Sequence, residues 1–221
     1  MNLVFISDTH LRHHGRLNRL LNEILQKKPD SVLIHCGDMS STGKESQVKD
    51  FLEWMNRLGF KKKILIAGNH DFLFERTPTL ARELLDRFPE IDYLEDSGLE
   101  YEGIKFWGSP VQPRFYDWAF NRDEDIINHW NLIPQDTDVL ITHGPPYGIL
   151  DWSRTDRKSV GCPRLLEKID SLSLKVHAFG HIHEDFGVMD GPGLLERTKF
   201  INASYLDLDY YPVNMPIEFE I

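Results

Sequence analysis

Cysteine is nearly missing from this chain: Cys36 and Cys162 are the two in 221 residues. They lie far apart and Cys36 sits in an apolar run, which speaks against a disulfide framework and for a reducing, cytoplasmic setting. Long hydrophobic runs are absent as well. Nothing approaches the ~20 apolar residues of a membrane-spanning helix, and the N-terminus enters Leu3-Val4-Phe5-Ile6 without a basic segment or an extended apolar stretch, so neither a membrane nor an export signal is expected. Basic charge is in deficit, with 25 Lys and Arg against 35 Asp and Glu and a net charge of -10. That balance disfavours a nucleic-acid polymer as partner, because such binding draws its affinity from cations neutralising phosphates. A small anion drawn to a local metal charge stays compatible with it. Two catalytic signatures are also lacking. No Gly-x-Ser-x-Gly elbow supports a serine hydrolase. Gly37 to Lys44 only superficially resembles a phosphate loop: five residues rather than four separate Gly37 from Gly43, and Glu45 stands where Ser or Thr would hold magnesium.

What is present is a chain 41% hydrophobic, long enough for one large core and too short to need two. A single domain over residues 1–221 is expected. Leu3 to Ser7 is a short apolar run of the kind buried on both faces of a sheet. Leu17, Leu20, Leu21, Ile24 and Leu25 then recur at helical spacing. Strand followed by helix reads as the start of an alternating α/β layer. Ser31 to His35 predicts a second strand, Lys44 to Leu58 a second helix, Lys61-Lys62-Lys63 a solvated turn and Ile64 to Ala67 a third strand. Pro78 to Phe88 looks helical, and Tyr93 to Trp107 reads as short strands joined at Gly98 and Gly103. Gly108 to Arg122, rich in aromatics and proline, reads as an ordered loop of the kind that borders sites. A helix at Glu124 to Trp130, a strand at Val139 to Thr142, a helix near Arg164 to Ile169 and strands at Lys175 to Phe179, Lys199 to Asn202 and Ile217 to Ile221 complete the pattern.

The apolar strands end alike. Asp8-x-His10, Gly37-Asp38, Gly68-Asn69-His70-Asp71, His143-Gly144 and Gly180-His181-x-His183 each place polar side chains just beyond a run of buried residues. Residues separated by one other on an extended segment point to the same side. In open α/β sheets the ligand crevice lies beyond the carboxyl ends of the strands, so residues scattered over the whole chain can converge there. Asp8, His10, Asp38, Asn69, His70, His143, His181 and His183 form a coherent set: too many ligands for one tetrahedral zinc, and about the number and mix that two ions sharing a carboxylate require. Mixed oxygen and imidazole ligation suits manganese, iron, zinc, cobalt or nickel better than calcium or magnesium alone.

In order and context these five blocks resemble the calcineurin-like metallophosphoesterases. The resemblance extends to the branch of small metallophosphoesterase-domain-containing proteins through Trp130-Asn131-Leu132-Ile133-Pro134, Thr142-His143-Gly144-Pro145-Pro146, Val160-Gly161-Cys162 and Ile201-Asn202-Ala203-Ser204, and so covers nearly the whole chain. It implies an α/β fold, a four-layer αββα sandwich with two central sheets flanked by helices. It implies two divalent transition metals, manganese foremost for activity and iron or zinc as alternatives. One would be held by Asp8, His10 and His183, the other by Asn69, His143 and His181, with Asp38 bridging. Some members of that branch lack the first histidine of the Gly-His-x-His block, whereas this chain keeps His181. The implied reaction is hydrolysis of a small-molecule phosphoester by a hydroxide shared between the metals, with Asn69 and His70 meeting substrate and His70, the motif histidine that is not a ligand, protonating the leaving group.

A phosphodiesterase acting on small diesters such as cyclic nucleotides is favoured. After Asp38 the chain reads Met39-Ser40-Ser41-Thr42, without the Asp-Arg-Gly that supplies a phosphate-binding arginine in protein Ser/Thr phosphatases. The alternatives are a phosphomonoesterase or phosphoprotein phosphatase, and a silent scaffold on the same fold, which the intact ligand set opposes. Around the motif, Asp71 is expected to orient His70 or cap a helix. His13 and His14 read as an exposed polar loop, His35 and His177 as buried hydrogen-bonded histidines, Glu184 as a solvated charge, and Phe115, Tyr116 and Trp118 as packing rather than a base-stacking platform.

Overall fold

Side-chain alternation along the first strand sets the layering. In the computed structural model, which describes residues 1–221, Asn2–Ile6 (β1) is buried throughout. Its Leu3 and Phe5 enter one apolar cluster and Val4 and Ile6 another. The first cluster is the seam between two sheets and the second lies under helices, so the strand is apolar on both faces, as a parallel strand inside an α/β protein must be.

Asn18–Lys27 (α1), Val32–His35 (β2), Glu45–Arg57 (α2), Lys62–Leu65 (β3), Phe72–Arg76 (α3), Pro78–Leu85 (α4) and Ile91–Tyr93 (β4) follow. Strands β1 to β4 are parallel neighbours in that order. Leu21 of α1, Phe51 and Met55 of α2 and Leu84 of α4 cover Val4, Ile6, Leu33 and Leu65 on their outer face. Each such fully buried Leu, Ile or Phe contributes about 1.5–3 kcal/mol relative to exposure. Glu45 in the first turn of α2 and Arg57 in the last suit its dipole.

The second sheet collects Ser97–Tyr101 (β5), Ile104–Ser109 (β6), Val139–Thr142 (β9), Val176–Phe179 (β12), Gly187–Asp190 (β13) and Lys199–Asn202 (β14), in the order β13-β14-β12-β9-β6-β5. Between them lie two small ribbons, Gln112–Pro113 (β7) with Asn121–Arg122 (β8) and Trp152–Ser153 (β10) with Lys158–Ser159 (β11). Val139, Ile141, Val176, Ala178 and Ile201 face Leu3, Phe5, Val32 and Ile34 across the seam. Leu140, Phe179 and Phe200 face outward under Ile126–Asn131 (α5) and Pro163–Ile169 (α6). Ile217–Glu220 (β15) closes the first sheet antiparallel to β1. Helices, sheet, sheet, helices is the expected αββα sandwich. No helix is long and apolar enough to cross a membrane.

Three local expectations are corrected. Gly98 is not a joint but lies inside β5 opposite Trp107, where an added Cβ would meet the Phe106 carbonyl at 2.6 Å; the turn falls at Glu102-Gly103. The lysine run is not wholly a turn: Lys62 and Lys63 open β3, and Lys63 is buried with its Nζ donating to the Asn56 carbonyl at 3.3 Å. Gly108 to Arg122 carries the short β7–β8 ribbon.

His35 and His177 are buried and hydrogen-bonded, as expected. His177 donates through Nε2 to the Thr142 hydroxyl, 2.9 Å away, and Thr142 in turn donates to the Gly144 carbonyl. The His177 Nδ1 has no partner, so a second proton there would be buried unsatisfied. Burial accordingly depresses its pKa from 6.5 to about 3. Below the unfolded value the unfolded chain takes up a proton that the folded chain refuses, so stability is complete above 6.5 and falls by about 1.4 kcal/mol per pH unit beneath it. Urea denaturation at about pH 7.5 and about pH 5 should show wild-type protein losing about 2 kcal/mol more than His177→Leu. Equal losses would refute the assignment.

Candidate metal centre

The carboxyl ends of β1 and β14 meet where Ser7 bridges Ser204, bringing the two sheets' strand-end loops together. Four residues there occupy the left-handed region although none is glycine: Asp8 (φ 52°), His10 (φ 38°), Asp38 (φ 57°) and His181 (φ 69°). Such strain costs on the order of 1–3 kcal/mol per residue and persists only where the surroundings impose it. Glycine is required beside them: a Cβ on Gly180 would lie 2.0 Å from Asp8 Oδ2, and one on Gly68 2.3 Å from Asp38 Oδ1.

Hydrogen bonds aim the donors. Four imidazoles donate Nδ1–H to backbone carbonyls: His10 to Ser40 (3.1 Å), His143 to Cys36 (3.0 Å), His183 to Asp207 (2.9 Å) and His70 to Ser41 (2.8 Å). This holds Nδ1–H in each and turns Nε2 into the cleft. Asp8 Oδ2 is spent on the His181 N–H and the Ser204 hydroxyl, leaving Oδ1 free, and Asp38 Oδ1 accepts the His70 N–H.

What remains is a convergence of acceptors. His183 Nε2 is 3.4 Å from Asp8 Oδ1, His10 Nε2 is 3.6 Å and His143 Nε2 3.5 Å from Asp38 Oδ2, and His143 Nε2 is 2.8 Å from Asn69 Oδ1. Adjacent ligands of one ion with bonds of ~2.1 Å stand roughly 3.0–3.4 Å apart, close to these separations. The buried Asp8 Oδ1 and His10 Nε2 have no hydrogen-bond partner at all. Buried lone pairs that face one another need a cation between them. Asp8–His10–His183, His10–Asp38–His70 and Asp8–Asp38–His143 each bring their donor atoms within 4.8 Å of one another. These residues fit a two-ion centre. His181 joins none of these groups of three; its ring lies edge-on to His143 with centroids 5.0 Å apart.

The charges agree. Burial alone would raise the Asp38 carboxyl, but His143, His70 and His10 hold it below the ordinary carboxylate range. Burial likewise opposes charge on His143 and His183, yet Asp38 lifts the first and Asp8 the second to about 9. His181, whose pKa burial lowers to about 3, stays neutral with the lone pair of one ring nitrogen available.

Over the donors opens a cleft of about 230 Å³ lined by Asn69, His70, His181 and three aromatic residues, Phe115, Trp118 and Tyr210. Trp118 stacks on His70 with centroids 4.2 Å apart, and Phe115 meets His181 at 5.0 Å. Tyr116, by contrast, is 85% exposed. The 108–122 segment therefore borders the site, and two of its aromatics pack onto motif histidines. Tyr210, 4.9 Å from the His10 ring, and Asp207 went unnoticed in the sequence because residues 203–216 carry neither periodicity nor a ligand motif. The tyrosine-rich Tyr205 to Tyr211 run was the available signal.

Neighbouring expectations need correction. Asp71 neither touches the His70 imidazole nor caps α3 with its side chain. Its buried carboxylate accepts from the backbone N–H groups of Met39, Ser40 and Gly68 and from the Ser40 hydroxyl, tying the loop after β2 to the loop after β3. Burial and the Asp38 charge raise it to about 6. His13 is wholly buried against Phe51 and Trp54 of α2, whereas His14 is exposed as expected. Glu184 accepts the Arg154 N–H at 2.8 Å rather than standing free.

Residues 1–185 match the family model described as calcineurin-like phosphoesterase. The chain is 38% identical over 242 aligned positions to metallophosphoesterase domain-containing protein 1 of Homo sapiens, covering 99% of this chain and 70% of that protein. It is 34% identical to UPF0046 protein K07C11.7 of Caenorhabditis elegans, over 100% of this chain and 75% of that one. In fold it is similar to TT1561 of Thermus thermophilus, with a TM-score of 0.63, 12% identity and coverage of 91% and 88% of the two chains. It is similar too to a phosphopantetheinyl hydrolase from Mycobacterium tuberculosis, with a TM-score of 0.59, 15% identity and coverage of 92% and 88%. With strand-end donors spaced for two ions, a sandwich shared with these structures and a family match over most of its length, the chain belongs to the calcineurin-like phosphoesterases.

Proposed function

We propose that the protein is a dinuclear phosphodiesterase of small molecules, with manganese as the ion most able to support turnover. Asp8, His10 and His183 would hold one ion and Asn69, His143 and His181 the other, with Asp38 available to both. When bound, such a pair supplies a nucleophilic water at neutral pH and Lewis-acid stabilisation of the phosphoryl oxygens. The chain's own groups do the rest. Asn69 and His70 meet the phosphoryl group at the cleft floor. With Nδ1–H committed to the Ser41 carbonyl, His70 presents Nε2 to the leaving oxygen and, as the imidazolium, would deliver the Nε2 proton there, returning to the neutral ring. Trp118 and Phe115 narrow the approach and exclude water from one side.

The observation that carries the diester preference is the charge of the cleft: none of its lining residues is Lys or Arg. A diester brings one negative charge to the metals, while a monoester dianion brings a second for which this cleft offers no Lys or Arg. An adjoining cleft of about 590 Å³ shares Phe115, His181, Glu184 and Leu208 with it and has room for a second ester arm. The small-molecule substrate, the cytoplasmic setting and the single 1–221 domain belong to the same reading.

Initial rates of manganese-reconstituted protein on an aryl phosphodiester and the matching monoester, with Asp38→Asn as blank, test it. The expected result is a diester rate at least ~10-fold higher, the ratio produced by about 1.4 kcal/mol of differential transition-state stabilisation. A monoester preference would make the protein a phosphatase. No rate above the blank on either ester would favour the scaffold.

A further inference from the structure

Outside the cleft, His13, His14 and Asp50 converge where the turn His13–Leu17 packs against α2. His13 Nε2 lies 3.1 Å and His14 Nε2 3.6 Å from the same Asp50 oxygen, Oδ2. These values straddle the ~3.4 Å that separates two ligands of a tetrahedral ion with bonds of ~2.1 Å. The His13 side chain is fully buried, yet neither of its ring nitrogens has a hydrogen-bond partner; the Asp50 contact is off the line that a hydrogen bond requires. A buried imidazole with no partner on either nitrogen forfeits ~1–3 kcal/mol, unless another ligand takes one of them. The opposite side of the group is open, since the His14 and Asp50 side chains are 56% and 51% exposed. An ion can therefore enter and keep a water as its fourth ligand.

The backbone supports the arrangement. His14 is extended (φ -75°, ψ 172°) and Gly15 turns back at φ 67°, and the two sequential histidine rings lie 4.3 Å apart, tilted by 54°, instead of diverging. Phe51 and Trp54, one and four residues beyond Asp50 on α2, pack against the His13 ring and hold it in place.

We propose that His13, His14 and Asp50 form a third cation site, for a borderline divalent ion such as zinc, nickel or copper, clipping the loop that follows Asp8-x-His10 to α2. Two imidazoles and one carboxylate are the donor set of such ions and not of calcium or magnesium. None of the three residues lines the cleft over the dinuclear centre, so the site stands apart from turnover.

The test is equilibrium dialysis against buffered free zinc sufficient to fill the dinuclear centre, followed by elemental analysis. His14→Ala and Asp50→Asn alter exposed side chains and should each retain one zinc per chain fewer than wild type, with catalytic rate unchanged. The same one-ion difference should persist when both substitutions are placed in an Asp38→Asn background. Failure of the dinuclear reading would therefore be seen separately, as loss of the remaining ions. If either substitution leaves the zinc content at the level of its parent, the proposal is overturned.

Discussion

Asp38→Asn is expected to lower turnover by at least ~10³-fold, the rate equivalent of about 4 kcal/mol of lost transition-state stabilisation. The size follows from where this carboxylate stands. Its Oδ2 is the one oxygen near both His10 and His143, at 3.6 and 3.5 Å, while Oδ1 accepts the His70 N–H. An amide keeps the volume and loses the anion. Worse, either orientation of the amide conflicts with a neighbour: an NH₂ at the Oδ1 position faces the His70 N–H, and one at the Oδ2 position cannot coordinate. Elemental analysis and diester hydrolysis, measured on the same preparation, check the outcome. Activity within about tenfold of wild type at equal metal content would remove Asp38 from the centre.

His70→Ala should cost ~10²–10⁴-fold in kcat, the usual worth of a positioned proton donor, while both ions are retained. His70 comes within 4.8 Å of the donor atoms of His10 and Asp38, so metal retention is the readout that separates a proton donor from a ligand. The His70 Nε2 is 4.0 Å from Asp38 Oδ2, farther than that of His10 or His143, and its ring is clamped between the Ser41 carbonyl and the Trp118 face. A proton donor matters most when the departing oxygen is basic. The deficit should therefore be largest for alkyl esters and shrink for acidic phenols. A His70→Ala protein with full activity would end the assignment, and so would one that loses metal.

Much of this was readable from the chain because buried parallel strands leave a plain trace. Leu3 to Ser7, Ser31 to His35, Val139 to Thr142 and Lys175 to Phe179 are apolar runs that can be buried on both faces only in one architecture, and each ends on its functional residues. The donor set needed no knowledge of packing, since each motif sits within a few residues of a strand end. Contacts between elements distant in sequence were not legible. His13 belongs to a polar-looking stretch, and only the arrival of Phe51 and Trp54 buries it. Asp71 carries the same side chain whether it caps a helix or ties two loops, and the choice is made by Met39 and Ser40, more than thirty residues earlier. Tyr210 reaches the His10 ring from a segment without periodicity.

The donors are divided between the two sheets: Asp8, His10, Asp38 and Asn69 leave strands of the first, and His143, His181 and His183 leave strands of the second. Neither sheet alone has an aspartate and a histidine on both halves of the centre. In the proposed centre a pair of ions would therefore bind only where the seam of Leu3, Phe5, Val176 and Ala178 has closed, and their binding would in turn stabilise that seam. A chain cut before the Gly180-His181-x-His183 block would keep Asp8, His10, Asp38, Asn69 and His143 but lack the two histidines that the last parallel strand of the second sheet brings to the crevice.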